Sequence, residues 1–193
     1  SSNRTGTSQI YITVKEGGIE EQLTSYEEPV SLIGFSPVKN EIMFGMSRGG
    51  DENTQFYLLN SLTKEIRKIT TNEKVKHGWG GWSFDGKRIT FSSNERNGMD
   101  LDVFVINLET AEKELVFSPG GYASSYGFSP SGKWLSAIIQ KAGSDHDLYV
   151  IDLKTKESKL LFEHKDKAEY GKPLWLPDES GFFFRSDEGR DFT

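Results

Sequence analysis

The sequence predicts an all-β fold built from four-stranded antiparallel units, and three observations predict it. Hairpin signals recur at short intervals: within Gly81 to Leu115, Asp85-Gly86, Asn97-Gly98 and Glu109-Thr110-Ala111-Glu112 separate four short strands. The unit repeats, since Phe35-Ser36-Pro37, Trp82-Ser83-Phe84, Phe128-Ser129-Pro130 and Trp175-Leu176-Pro177 share one pattern at spacings of 47, 46 and 47 residues. No window carries sustained helical periodicity, and the 12% aromatic content with 20 glycines suits strands and turns. A four-stranded repeat of about 40–50 residues is the mark of a β-propeller blade, whose apolar face only a neighbouring blade can cover.

Each element follows from that register. After the aromatic come the turns Lys39-Asn40, Asp85-Gly86, Ser131-Gly132 and Ser180-Gly181. The third strands are Phe56 to Leu59, Val103 to Ile106 and Leu148 to Ile151, closed by the Thr-x-Glu turns Thr63/Glu65, Thr110/Glu112 and Thr155/Glu157. Gln9 to Val14 reads as a third strand and Glu21 to Thr24 as a fourth, with Arg4-Thr5-Gly6 and Glu16-Gly17-Gly18 as turns. At the other end, Pro173 to Leu176 and Phe182 to Ser186 read as first and second strands. The expected organisation is one β-propeller of about four blade-equivalents. A partial blade covers 1–26, blades cover about 30–72, 77–117 and 123–163, and a partial blade covers 170–193. Two arrangements follow: half-blades at the termini that close a ring, or a slice of a longer propeller with open edges. The doubling of SSNRTGTSQ by RSDEGRDFT favours the slice, and the exposed Phe182-Phe183-Phe184 edge is then a route to self-association.

Composition narrows the function. The formal charge of −6, with Lys and Arg dispersed among acids, argues against a nucleic-acid partner. No stretch reaches the roughly 18 apolar residues of a membrane span. Cysteine is absent, which suits a reducing cytoplasm and leaves no thiolate chemistry.

The pattern W-S-x-D-G-K-x-I-x-F-S-S-N-x-x-x-G-x-D-x-D-V-x-V-x-N-L-x-T at 82–110 resembles the repeat of TolB-like (WD40-like) propellers. It resembles still more the propeller of prolyl-oligopeptidase-family (S9) serine peptidases of the dipeptidyl aminopeptidase and acylaminoacyl peptidase type. SNRTGTSQIYITVKEGGIEEQLT at 2–24, FSPVKNEIMFGM at 35–46 and SDEGRDFT at 186–193 extend the likeness over the whole chain. That resemblance implies a non-catalytic propeller that gates and orients oligopeptide substrates over a separate α/β-hydrolase domain, for which no segment here has a counterpart. The alternative is a self-contained TolB-like propeller that binds protein.

The candidate chemistry is sparse. Gly45-Met46-Ser47-Arg48-Gly49 fits the G-x-S-x-G nucleophile elbow, but that elbow needs a helix after the serine, and a polar hairpin follows here. The pairs Asp100/Asp102 and Asp145/Asp147 lack the glycine and terminal glutamate of a calcium loop. They read as strand-starting hydrogen-bond acceptors, and no cofactor or metal is expected. His77, His146 and His164 read as surface or loop residues, and the four tryptophans as packing between blades, with Trp79 out of register. The first strands, Ser31 to Phe35, Gly78 to Trp82, Ser124 to Phe128 and Gly171 to Trp175, offer few acid–base groups, which counts against a lyase or lactonase. Charge instead collects in the loops between second and third strands: Arg48, Glu95, Arg96, Arg185, Glu188 and Arg190 are the candidates for binding peptide termini or docking a catalytic domain.

Overall fold

The computed structural model describes residues 1–4, 6–13, 17–18 and 20–188. The expected turns at Thr5 and Glu16, the end of the first strand at Val14, and Arg190 with the rest of 189–193 lie outside them. Among the described residues, all sixteen elements are strands. The chain divides into two compact units, Ser1–His77 and Gly78–Thr193.

In the first unit, β1 (Tyr11–Ile12) and β2 (Glu21–Gln22) form a two-stranded ribbon, and β3 (Val30–Phe35), β4 (Glu41–Met46), β5 (Gln55–Asn60) and β6 (Ile66–Lys68) form a meander in that order. Ile42, Phe44 and Met46 of β4 and Tyr57 and Leu59 of β5 pack with Ile10, Leu23 and Val30. Alternate residues supply this core because successive side chains of a strand point to opposite faces. Phe44 and Tyr57 are cross-strand partners and stack at 5.2 Å.

The second unit holds two further meanders. They are β7 (His77–Trp82) to β10 (Lys113–Phe117), with β8 (Arg88–Ser93) and β9 (Asp102–Asn107) between, and β11 (Tyr122–Phe128), β12 (Trp134–Ala142), β13 (Asp145–Asp152) and β14 (Ser158–Leu160). The hairpin β15 (Leu174–Trp175)–β16 (Phe182–Phe183) follows. Leu135 and Ala137 of β12 join Val103, Val105 and Phe117 in one core. Ile138, on the opposite face, joins Leu148, Ala168 and Tyr170 in another.

The turns repeat with their chemistry. Asn60, Asn107 and Asp152 each accept two backbone N–H groups through Oδ1, and each closing turn ends on a residue with positive φ: Lys64 at 65°, Ala111 at 60° and Lys156 at 64°. In the left-handed region a Cβ costs about 1–2 kcal/mol, which glycine avoids. Part of that gain is offset by glycine's freer unfolded state. Ala111→Gly is therefore expected to raise stability by about 0.5–1 kcal/mol, read as a higher urea midpoint at unchanged slope.

Strand lengths in the second unit differ from expectation in two places. β15 and β16 pair through two residues each, because Pro173 has no N–H to donate; pairing resumes at Gly171, whose N–H donates to the Arg185 carbonyl at 2.8 Å, and at the Tyr170–Ser186 bridge. In contrast, β12 and β13 run past the expected third strand to Ala142 and Asp145 around a bulge near Gln140. The tryptophans are half-buried at the margins of the sheets, and the cores are built from Phe, Leu, Ile and Val instead.

Candidate functional site

The loops between second and third strands begin with a repeated device. A buried polar residue stands at or near the start of each third strand: Gln55 and Asp102 open β5 and β9, Asp147 is the third residue of β13, and Gln9 stands two residues before β1. A buried polar group needs partners, and each has them. Gln55 donates to the carbonyls of Asn53 and Asn72 and accepts from Thr70, whose Oγ1 in turn receives the Phe56 N–H at 2.9 Å. Gln9 donates to the carbonyls of Tyr26 and Glu28, and Thr24 receives the Ile10 N–H at 2.9 Å. Asp102 starts β9 and accepts from Arg96, as expected, whereas Asp147 accepts from Lys141 inside β13, which starts two residues earlier at Asp145. Gln9 and Gln55 serve the same position without charge, and their alignment with the two aspartates was the available signal.

Arg96 closes the charged version. Its Nε donates to Asp102 Oδ2 at 2.5 Å and its Nη2 to Asp100 Oδ2 at 3.1 Å, while Asp102 is fully buried. The Asn97 amide, then the Gly121 N–H and Arg96, hold the Asp100 carboxyl below its usual range. Glu95 is 13% exposed and receives Lys113 Nζ at 2.5 Å. Both residues are thus committed within their own sheet.

Arg48 is different. Its guanidinium is 71% exposed, and its ion pair to Glu73 is long, at 3.5 Å. It stands between two recesses of the first unit, of about 520 and 260 Å³. Tyr26, Met46, Tyr57 and Lys68 line the larger; Asp51, Asn53, Gln55 and Lys74 line the smaller. Lys68 lies 5.8 Å above the Tyr57 ring. Glu73 receives Lys68 Nζ at 2.5 Å as well as the longer contact from Arg48, so the two cations share one carboxylate beside the aromatic lining.

Arg185 and Glu188 flank Tyr170 in the second unit. Tyr170 is 1% exposed and donates to Glu188 Oε2 at 3.2 Å. Burial first, then that bond, push the phenol up to about 12. Within the second unit, no ion pair among the described residues joins Glu95, Arg96, Arg185 and Glu188 to one another.

Two groups escaped the sequence reading. His77 is buried at the start of β7, with Nδ1 3.0 Å from the Thr54 carbonyl, and is neither a surface nor a loop residue; His164 lies in a loop as expected, but its side chain is only 4% exposed. An apolar groove of about 750 Å³ lies between β13–β14 and the last hairpin, lined by Trp134, Val150, Leu161, Trp175 and Phe182. The G-x-S-x-G stretch is a hairpin: β4 ends at Met46, Ser47 Oγ shares a hydrogen bond with Thr54 Oγ1 at 3.0 Å, and β5 follows.

No protein-family model matches the chain. The Tol-Pal system protein TolB of Francisella tularensis subsp. holarctica is 26% identical over 133 residues, which cover 69% of this chain; the match spans 30% of the length of that relative. Among solved structures, a putative TolB from Agrobacterium tumefaciens matches 96% of this chain and 65% of its own, with TM-score 0.66 and 17% identity. An oligogalacturonate lyase from Vibrio parahaemolyticus matches 91% of this chain and 50% of its own, with TM-score 0.67 and 18% identity. These likenesses, with the four-stranded antiparallel meanders, give the chain a TolB-like propeller fold.

Proposed function

We propose that this chain is the non-catalytic propeller portion of a serine peptidase of the prolyl-oligopeptidase type, where it gates and orients oligopeptides over a separate α/β-hydrolase domain. The observation that carries peptide binding is the Arg48 recess. An exposed guanidinium in a recess that Tyr26, Met46 and Tyr57 also line suits a peptide carboxylate and an adjoining apolar side chain. The resemblance of residues 82–110 to the peptidase propeller supports the choice of parent. Ser47, held against Thr54 in a hairpin, supports the lack of chemistry in this part. Calorimetric titration with short unstructured peptides is expected to show binding that Arg48→Ala weakens about tenfold, the equivalent of one charge-assisted hydrogen bond. The pure chain is expected to leave a peptidyl chromogenic substrate intact. Hydrolysis that Ser47→Ala abolishes would overturn the reading.

The TolB relative favours a second reading, a propeller that binds a folded protein partner. The same titration separates the two, since a docking propeller would ignore short peptides and a gate would take them up.

A further inference from the structure

The linker from β14 to β15 is fastened to the third meander by one histidine. His164 Nδ1 lies 2.7 Å from the Asp166 carbonyl oxygen, and Nε2 lies 3.0 Å from Asp147 Oδ1 on β13. A carbonyl and a carboxylate can only accept, so both nitrogens must donate, and both bonds exist together only in the imidazolium. The charged groups facing the ring are Asp147, Asp145, whose Oδ1 is 3.8 Å from Nδ1, and Lys141, whose Nζ is 2.7 Å from Asp147 Oδ1. Tyr170 presents its ring at 5.7 Å, and beyond it lies Glu188. With the imidazolium, the two carboxylates are balanced by two cations; without its proton, one negative charge is left over.

What the linker holds makes the fastening consequential. His146 N–H donates to the Ala168 carbonyl at 2.8 Å, Glu169 N–H to Asp187 Oδ1 at 2.6 Å, and Gly171 N–H to the Arg185 carbonyl at 2.8 Å. Tyr170 fills the core between Ile138 and Leu148 and stacks on Phe162.

We propose that His164 is a proton-operated latch that holds the 161–170 linker, and with it the segment bearing Arg185 and Glu188, against the β11–β14 sheet. The latch is independent of what those loops bind. Donation to the Asp166 carbonyl, against the opposing effect of burial, raises the imidazole above its ordinary 6.5. A raised value means that the folded state holds the proton more tightly. The contribution is therefore complete below the unfolded value near 6.5 and is lost as pH rises through the folded one.

The test is an NMR titration of the whole chain from pH 5 to 9, following the ring nitrogens of His164 and the exchange protection of the Gly171 and His146 amides. At pH 6 both ring nitrogens should carry protons. Protection should fall at least about tenfold as the ring titrates, the loss of one charge-assisted hydrogen bond. His146→Gln should keep the transition, and His164→Gln should abolish it. Flat protection factors, a transition that survives in His164→Gln, or a neutral ring at pH 6 would each overturn the proposal, the last from the unaltered protein alone.

Discussion

Tyr170→Ala is expected to destabilise the second unit by about 3–5 kcal/mol, the range for emptying a fully buried aromatic site. The side chain packs among Ile138, Leu148 and Ala168 and meets Phe162, His164 and Phe184. Its backbone carbonyl also receives the Tyr126 hydroxyl at 2.9 Å, so loss of the ring loosens a second tyrosine. Tyr170→Phe removes only the hydroxyl bond to Glu188 and should cost about 1 kcal/mol. Urea unfolding followed by tryptophan fluorescence reads both, since Trp134 and Trp175 lie in this unit. Equal losses for the two variants would show that the hydrogen bond, not the packing, fixes the linker. The phenol's rise to about 12 adds a pH dependence. The folded state keeps the proton longer than the unfolded chain, so this part of the stability is full below about pH 10 and disappears between there and about pH 12. Tyr170→Phe should flatten that decline.

The contrast between Tyr170 and the turns shows where local sequence carries information. Asp85-Gly86 and Ser131-Gly132 announce their hairpins because the same residues perform the turn: Gly86 and Gly132 both have φ of 68°, and Asp85 accepts the Lys87 N–H within the same turn. The Thr-x-Glu signature is equally self-contained, as Thr63 donates to Glu65 two residues on. Arg96, a docking candidate by sequence, is instead committed to Asp102, only six residues away in the same stretch. His164 gave no such sign. Its partner Asp147 is seventeen residues away, and its burial depends on how a linker without regular structure folds back over β13. The tryptophans misled for a related reason. Their recurrence marks the register, but Trp82 and Trp175 end first strands and Trp134 begins a second, at sheet margins where an indole is half-covered. Trp134 keeps one face for Lys133, whose Nζ sits 4.6 Å from the ring.

Gly80→Ala tests a close approach between two sheets of the second unit. A Cβ built at Gly80 would stand 2.7 Å from Ser125 Cβ, 2.9 Å from Ser125 Oγ and 2.9 Å from Thr90 Cγ2. Ser125 Cβ cannot swing aside, because it is bonded directly to the backbone of β11. Thr90 and Ser125 are buried and share a hydrogen bond of 3.1 Å, so either the sheets separate or that bond breaks. Overpacking of this kind costs about 1–3 kcal/mol, and the lost hydrogen bond about 1 kcal/mol more. The glycine is not required by its backbone: its φ is not positive, unlike that of Gly81 at 142°. The penalty should therefore be steric and reversible. Ser125→Gly in the Gly80→Ala background removes both Ser125 atoms, leaves only the Thr90 Cγ2 contact and should recover part of the overpacking cost, while Ser125→Gly alone should be destabilising through the loss of its bond to Thr90. A double-mutant cycle on the urea midpoint measures the difference. Strict additivity of the two substitutions would mean that the sheets do not meet at this point, and the packing of β7 against β11 would need to be redrawn.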